Sequence, residues 1–273
     1  LRKLFIISLR PSIKMRINRG ASVGDGMDSK TSSAAPRYGL ARVLSKEGLC
    51  SRTEAARWIS AGRVAVDGRV VRDPEFPIAG NRQRIAVDGK PISASQRCYL
   101  MLNKPRGVVT TASDERGRDT VYRCLEGGEP LPWLAPVGRL DKASEGLLLF
   151  SNDPEWAARV TDPDSGPDKT YHVQIDRIPD TSSLAAMMSG VMSEGQMLAA
   201  KSARVLRQGE KNAWLEIVLD EGRNRQIRRL LSALDIQVLR LVRTAIGSLE
   251  LGDLPKGQWR WLSAADAESL VRR

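Results

Sequence analysis

The stretch Pro136-Val137-Gly138-Arg139-Leu140-Asp141-Lys142-Ala143-Ser144-Glu145-Gly146-Leu147-Leu148-Leu149-Phe150-Ser151-Asn152-Asp153 carries the clearest fold signal in the chain. Gly146 to Phe150 is a continuous apolar run closed by the polar triplet Ser151-Asn152-Asp153, the pattern of a strand covered on both faces. Asp153 is followed by Pro154, a capping carboxylate ahead of a first-turn proline, so a short helix should follow the strand. Ahead of the strand, Gly138-Arg139-Leu140-Asp141 reads as a loop. A carboxylate on a loop that feeds a central strand can be held rigidly at a cleft, although most single aspartates in such places are only turn residues.

On either side of this block the pattern stays mixed. Tyr99 to Leu102 reads as a strand, Asn103-Lys104-Pro105-Arg106-Gly107 as a loop, and Val108 to Thr111 as a second strand. Lys169 to Ile175 alternates, with Lys169, Tyr171, Val173 and Ile175 on one side and Thr170, His172 and Gln174 on the other. Tyr171 should therefore face the core or a cleft, although burial statistics alone favour an ordinary half-buried tyrosine. His172, on the opposite side, is given no role. Trp214 to Leu219 is a further strand. Asn224 to Leu234 reads as a helix with Ile227, Leu230, Leu231 and Leu234 as its buried stripe. Arg228 lies one position past Ile227, at the edge of that stripe, where a guanidinium needs a carboxylate or phosphate partner. Strands and helices mix without a regular β-α-β period, which gives an α+β fold with a mixed, mainly antiparallel sheet flanked by helices.

A smaller unit precedes these elements, from about residue 37 to residue 93. Leu40, Val43 and Leu44 are spaced for one helix face, and Gly48 suits its end. Ser51, with Glu54 three residues on, is a capping-box signal for a second helix with Ala55, Trp58 and Ile59 as its apolar face. Asp67-Gly68, between Val64-Ala65-Val66 and Val70-Val71, is a strong hairpin signal, and a second Asp-Gly follows at Asp88-Gly89. The larger unit should span about residues 97–265. Residues 1–36 read as a disordered basic leader. Its stretch from Gly20 to Pro36 is linker-like, its Leu4–Ile7 apolar core is too short for a secretory signal, and a basic transit peptide remains an open alternative.

Charge is distributed unevenly. The 273 residues carry a net charge of +11. Residues 1–36 contribute +5, residues 37–97 contribute +6, and the remainder, with 24 charges of each sign, is neutral. A basic end joined to a neutral body suggests a polyanion grip beside a separate working part, as opposed to a merely solvated surface. Arg42, Lys46, Arg52, Arg57, Arg63 and Arg69 fall on the solvent positions of the small unit and would hold phosphates. No apolar run is long enough to span a bilayer, so an integral membrane protein is excluded. Three scattered cysteines (Cys50, Cys98, Cys124) and one histidine argue against a disulfide framework and a Cys/His zinc site, and suit a reducing cytoplasm.

The segment Leu40–Asp73, LARVLSKEGLCSRTEAARWISAGRVAVDGRVVRD, resembles the S4 RNA-binding domain. Four further segments resemble the RsuA/RluB/RluE/RluF-type rRNA pseudouridine synthases. These are LNKPRGVVTT (Leu102–Thr111), PVGRLDKASEGLLLFSND (Pro136–Asp153), KTYHVQI (Lys169–Ile175) and EGRNRQIRRLLSALDIQVLRLVRTAIGSLELGDLPKGQWRWL (Glu221–Leu262). An S4 domain in front is the usual arrangement of that family.

This resemblance implies isomerisation of uridine to pseudouridine in ribosomal RNA or a pre-ribosomal particle, without cofactor or metal, by a monomer. Asp141 would be the essential carboxylate, Tyr171 would line the site, and Arg228 would pair with Asp141. Arg139, with Leu140, Lys169, Asn224 and Gln226, would hold the flipped-out nucleotide. The motif EGRNRQIRR is closer to large-subunit than to small-subunit members. DPDSGPD at 162–168 departs from a segment that many members make more basic. Two rivals make contrary demands. A non-catalytic S4-type assembly protein should show a broken motif at Asp141, Tyr171 or Arg228, and a carboxylate nuclease should show clustered acids for a divalent cation. The sequence meets neither demand.

Overall fold

The structure, a computed structural model, describes residues 37–79, 83–93, 95–112, 114, 116–128 and 130–272. The expectations for residues 1–36 lie outside them. The small unit comprises β1 (Arg37–Gly39), α1 (Leu40–Lys46), α2 (Arg52–Ser60), β2 (Val64–Val66), β3 (Arg69–Val70), β4 (Pro77–Ala79), β5 (Ile85–Val87) and β6 (Lys90–Pro91). Both Asp-Gly pairs form their turns, with Asp67 and Asp88 each at φ 49°. The two hairpins join through β2 and β5 into a four-stranded sheet in the order β3-β2-β5-β6, and β1 pairs with β4. Leu40, Leu44, Ala55, Ile59, Val64 and Ile78 pack into one core beneath the two helices. Expectation gave two helices and one hairpin. The added strands are only two or three residues long, too short for a period-2 pattern to register. The capping box forms by half. Ser51 accepts the Glu54 amide at 3.0 Å, but the Glu54 carboxylate turns to the Trp58 indole at 2.8 Å.

The larger unit begins with β7 (Tyr99–Lys104), a 3-10 turn at Val121–Leu125, β8 (Ala135–Val137), β9 (Glu145–Ser151), α3 (Pro154–Thr161) and β10 (Lys169–Ile175). Next come α4 (Thr181–Ser189), β11 (Val191–Ser193), β12 (Gln196–Leu198), β13 (Ser202–Gln208) and β14 (Ala213–Leu219). The chain ends with α5 (Gln226–Ser232), β15 (Val238–Ile246), β16 (Leu249–Glu250), β17 (Trp259–Trp261) and α6 (Ala264–Ser269). The main sheet runs β13-β14-β10-β15-β9-β7-β17, with β16 on β15 and β8 on β9. All its pairings are antiparallel except β15 with β9, which is parallel.

Strand β9 shows why its sequence is apolar throughout. Leu147 and Leu149 enter one cluster with Met101, Val137 and Trp156. Leu148 and Phe150 enter another, on the opposite face, with Leu100, Leu102 and Leu140. All four are 0% exposed, and burial of each contributes roughly 1.5–3 kcal/mol. Asp153 caps α3 by accepting the amides of Glu155 and Trp156, as its position before Pro154 requires.

The expected strand Val108–Thr111 does not form. Among the described residues it contributes one parallel bridge, Val109 to Thr120. Its neighbour Thr110 turns its hydroxyl to the Asp141 loop, donating to the Leu140 carbonyl at 2.7 Å and accepting the Leu140 amide at 3.3 Å. The expected helix at 224–234 is shorter, because Arg225 takes a left-handed conformation (φ 50°) and α5 starts only at Gln226. Ile227, Leu230 and Leu231 are buried as expected, and Leu234 is half-buried.

Candidate active site

Gly138–Asp141, β10, α5 and β15 surround a cleft of about 620 Å³. Asp141, Tyr171 and Arg228 all line it, although the first and the last lie 87 positions apart in sequence (141 to 228). Arg139, Leu140, Lys169 and Gln226 line it as well, whereas Asn224 is exposed and stands outside the lining. His172 points to the other face of β10, where its Nε2 is 3.6 Å from Glu216.

The loop bearing Asp141 is fixed through its backbone. Five consecutive carbonyls each have a donor. Leu140 O takes the Thr110 hydroxyl, and Asp141 O takes the Lys104 ammonium at 3.0 Å. Lys142 O takes the Gly107 amide at 2.8 Å, Ala143 O takes Arg228 Nη2 at 3.2 Å, and Ser144 O takes Lys104 at 2.8 Å. Lys104 is wholly buried, and burial pushes its ammonium down to about 8. Such anchoring holds the Asp141 carboxylate in one place, the condition for efficient positioning.

The ion pair to Asp141 comes from Arg225, whose Nη1 lies 3.7 Å from Oδ2. This corrects the expectation for Arg228. The left-handed turn at Arg225 carries its side chain to the loop, whereas Arg228, in the first turn of α5, is spent on the Ala143 carbonyl. Its guanidinium stays close enough to Asp141 for attraction. Burial, followed by repulsion from Arg225, lowers its pKa below the usual arginine range, and it remains a cation at neutral pH.

Gln226 differs from expectation too. It is 2% exposed, and both amide N–H groups are committed, to Ala199 O at 3.1 Å and Glu221 Oε1 at 2.7 Å. Its oxygen accepts the Arg223 amide, so it braces the turn before α5 and has no donor left for a nucleotide. Lys169 is half-buried, and burial with the nearby Arg243 charge lowers its pKa. Lys104, Thr110, Arg225 and Arg243 were not singled out from the sequence. Arg225 lay within a recognisably cationic run, but the others carried no signal, since each depends on what a distant segment places beside it.

On the small unit, Arg42, Arg52, Arg57, Arg63 and Arg69 are exposed. Arg42 and Lys46 flank the Tyr38 ring, at 4.8 and 5.2 Å from its centre. Three of the expected phosphate contacts are already engaged, Arg57 among them with Glu54 at 3.4 Å. Lys46 bonds Glu155 of α3 at 2.8 Å, tying the small unit to the larger one. Arg63 makes a forked pair with Asp88 at 3.0 and 2.6 Å. All three pairs are solvent-exposed and weak enough to exchange for phosphate. Among the described residues, no group of three or more His, Cys, Asp or Glu side chains could hold a metal.

Comparison with known proteins agrees with this layout. Residues 98–233 match the RNA pseudouridylate synthase family model, and residues 39–83 match the S4 domain. An uncharacterized RNA pseudouridine synthase of Aquifex aeolicus is 35% identical over 85% of this chain and 92% of its own length. Ribosomal large subunit pseudouridine synthase B of Bacillus subtilis is 33% identical over 85% of this chain and 94% of its own. The Escherichia coli K12 protein of the same name is 36% identical over 85% and 81%. A crystal structure of a pseudouridylate synthase superposes with a TM-score of 0.60 and 29% identity, covering 86% of this chain and all of that one.

Proposed function

The chain belongs to the RNA pseudouridylate synthase family, and on that premise we propose that it isomerises one uridine of large-subunit ribosomal RNA, with Asp141 as the essential carboxylate. The observation that carries this reading is the meeting of Asp141 with Arg225 and Arg228 in a cleft also lined by Tyr171. The target base lies inside an RNA fold and must be turned out into the cleft, which costs a few kcal/mol. Exposed Arg139 at the cleft and the free arginines of the small unit offset that cost by holding the backbone.

In the cleft the C1′–N1 bond breaks, the base turns, and a C1′–C5 bond forms. The net proton change is loss from C5 and gain at N1, so no redox partner or energy source is required. Asp141 serves either as a nucleophile or as a base, with the Arg225 and Arg228 guanidiniums beside it. Tyr171 offers a ring face for the uracil. Three free thiols suit a reducing, cytoplasmic setting.

The test is a comparison of wild type with Asp141→Asn. The wild-type chain should add one pseudouridine to rRNA lacking it, mapped by chemical sequencing. The variant should lose turnover by at least 10³-fold while RNA affinity stays within a few fold. Retained turnover in the variant would remove Asp141 from the chemistry.

A further inference from the structure

Arg243 is an unusual residue for the interior of a sheet. It sits on β15 directly across from Tyr171 on β10. Residues paired in this way project to the same face, so Arg243 faces the cleft with Tyr171, and it is part of the cleft lining. It is only 6% exposed. Its Nε donates to the Leu147 carbonyl at 2.7 Å, which fixes the guanidinium plane. Its Nη2 is buried without a hydrogen-bond partner, and no carboxylate pairs with it among the described residues. Lys169, another cation, is close by. The backbone is also adapted to this position. Gly146 of β9 packs against Arg243, and a Cβ there would lie 2.2 Å from the Arg243 carbonyl oxygen.

A buried cation with a spare donor and no acid needs a partner that the folded chain does not supply. We propose that Arg243 receives a carbonyl oxygen of the flipped uracil and stabilises the negative charge that develops on the base. This rests on the function proposed above. Depth decides between base and phosphate. Arg139, Arg223 and Arg225 are exposed and suit a phosphodiester, which must stay where the RNA chain continues outward. Arg243 lies on the strand floor, within reach only of a group inserted into the cleft. When C1′–N1 breaks, the bond's electron pair stays with the base and spreads over N1 and the two carbonyl oxygens. A fixed guanidinium donor on one oxygen stabilises that anion more than the neutral base, which is the requirement for accelerating the step. The charge disappears again when C5 bonds to C1′, its proton is lost and N1 is protonated.

Arg243→Met and Arg243→Lys test this in single-turnover assays on a target RNA carrying uridine, 2-thiouridine or 4-thiouridine at the modified position. Sulfur is the weaker acceptor, so one thio substitution should slow the wild type at least tenfold. Arg243→Met should slow the uridine substrate by about 10²- to 10³-fold, with RNA affinity within threefold, and Arg243→Lys should fall between. The sensitive thio substitution should add little to the Met variant, as a shared contact requires. A Met variant as fast as wild type overturns the proposal. So does a wild type indifferent to both thio substitutions, which needs no variant to fold. A loss confined to RNA affinity with a smaller salt dependence assigns Arg243 to a phosphate and overturns it as well. A wild-type chain inactive on every rRNA instead sinks the function reading, and this inference with it.

Discussion

Lys104→Met removes one ammonium and should loosen the loop that carries Asp141. The side chain is 0% exposed and donates to Pro105 O at 3.2 Å, Asp141 O at 3.0 Å and Ser144 O at 2.8 Å. Methionine fills nearly the same volume without a donor, so the loss is electrostatic and not a cavity. Asp141 O keeps the Ser144 amide at 3.0 Å, which spares part of the cost. A buried carbonyl left short of a donor costs about 1–3 kcal/mol, and removal of a buried charge returns some of it. The net should be a loss of about 2–4 kcal/mol. Urea titration should show this as a lower midpoint at constant slope. Single-turnover rate should fall tenfold or more, because a small displacement of Asp141 is expensive.

The pH dependence of stability has a definite sign. Burial holds Lys104 at about 8 in the folded chain, against about 10.4 when unfolded. Between those values the unfolded state binds more protons, so this residue makes stability rise with pH across that window, and Lys104→Met should flatten the rise. Activity should move the other way. Above about pH 8 the neutral amine keeps two N–H groups for three carbonyls, and the loop loses one anchor. A variant within about 0.5 kcal/mol of wild type, with an unchanged rate, would refute the idea that Lys104 holds the loop.

Two further substitutions probe the same architecture. Gly146→Ala should destabilise the chain by more than about 3 kcal/mol, because φ is +99° and the new Cβ meets Arg243 backbone at 2.2 and 2.8 Å; thermal unfolding that barely shifts would mean β9 and β15 can part without cost. Thr110→Val keeps the shape and removes the hydroxyl that both donates to and accepts from Leu140, so it should cost about 1–2 kcal/mol and slow the isomerisation several-fold at saturating RNA, whereas a wild-type rate would leave Thr110 with no part in setting Asp141.

Local signals were legible wherever the physics is local. The run at 146–150 was readable as a buried strand because both faces are covered and no alternation is needed. Asp153 before Pro154 was readable as a helix start because capping involves only the next few residues. Tyr171 could be given a side by period-2 counting. The site itself was legible in part. Motif resemblance named Asp141, Tyr171 and Arg228, and all three line one cleft. The ion pair was misassigned because helix spacing says nothing about a left-handed residue just before the helix. Arg225 takes that conformation without being glycine, and this redirects its side chain. Lys104 was read as a loop lysine because a charge after an apolar strand ordinarily marks the strand's exit to solvent. Here three carbonyls from two segments wait for it in the interior.

The distribution of unpaired groups shows what the fold gives up for its chemistry. Among the described residues, the buried side-chain atoms without a hydrogen-bond partner are Arg228 Nε, Arg229 Nε and Arg243 Nη2. All belong to arginines on α5 and β15, and two of the three line the cleft. Arg229 has Glu194 at 3.1 Å to balance its charge, and Arg228 has Asp141 within reach. Arg243 has neither. A sequence selected for stability alone would place an aliphatic residue at 243, where β15 meets the apolar strand β9, since replacing a buried unpaired charge by a well-packed side chain favours folding. Keeping arginine there makes sense if the missing partner arrives with the substrate. The same logic explains why the loop at 140–144 is fastened by its backbone and not by its side chains. Every carbonyl is occupied, so the Asp141 carboxylate is positioned through its own backbone, and its side chain stays available at the cleft beside Arg225.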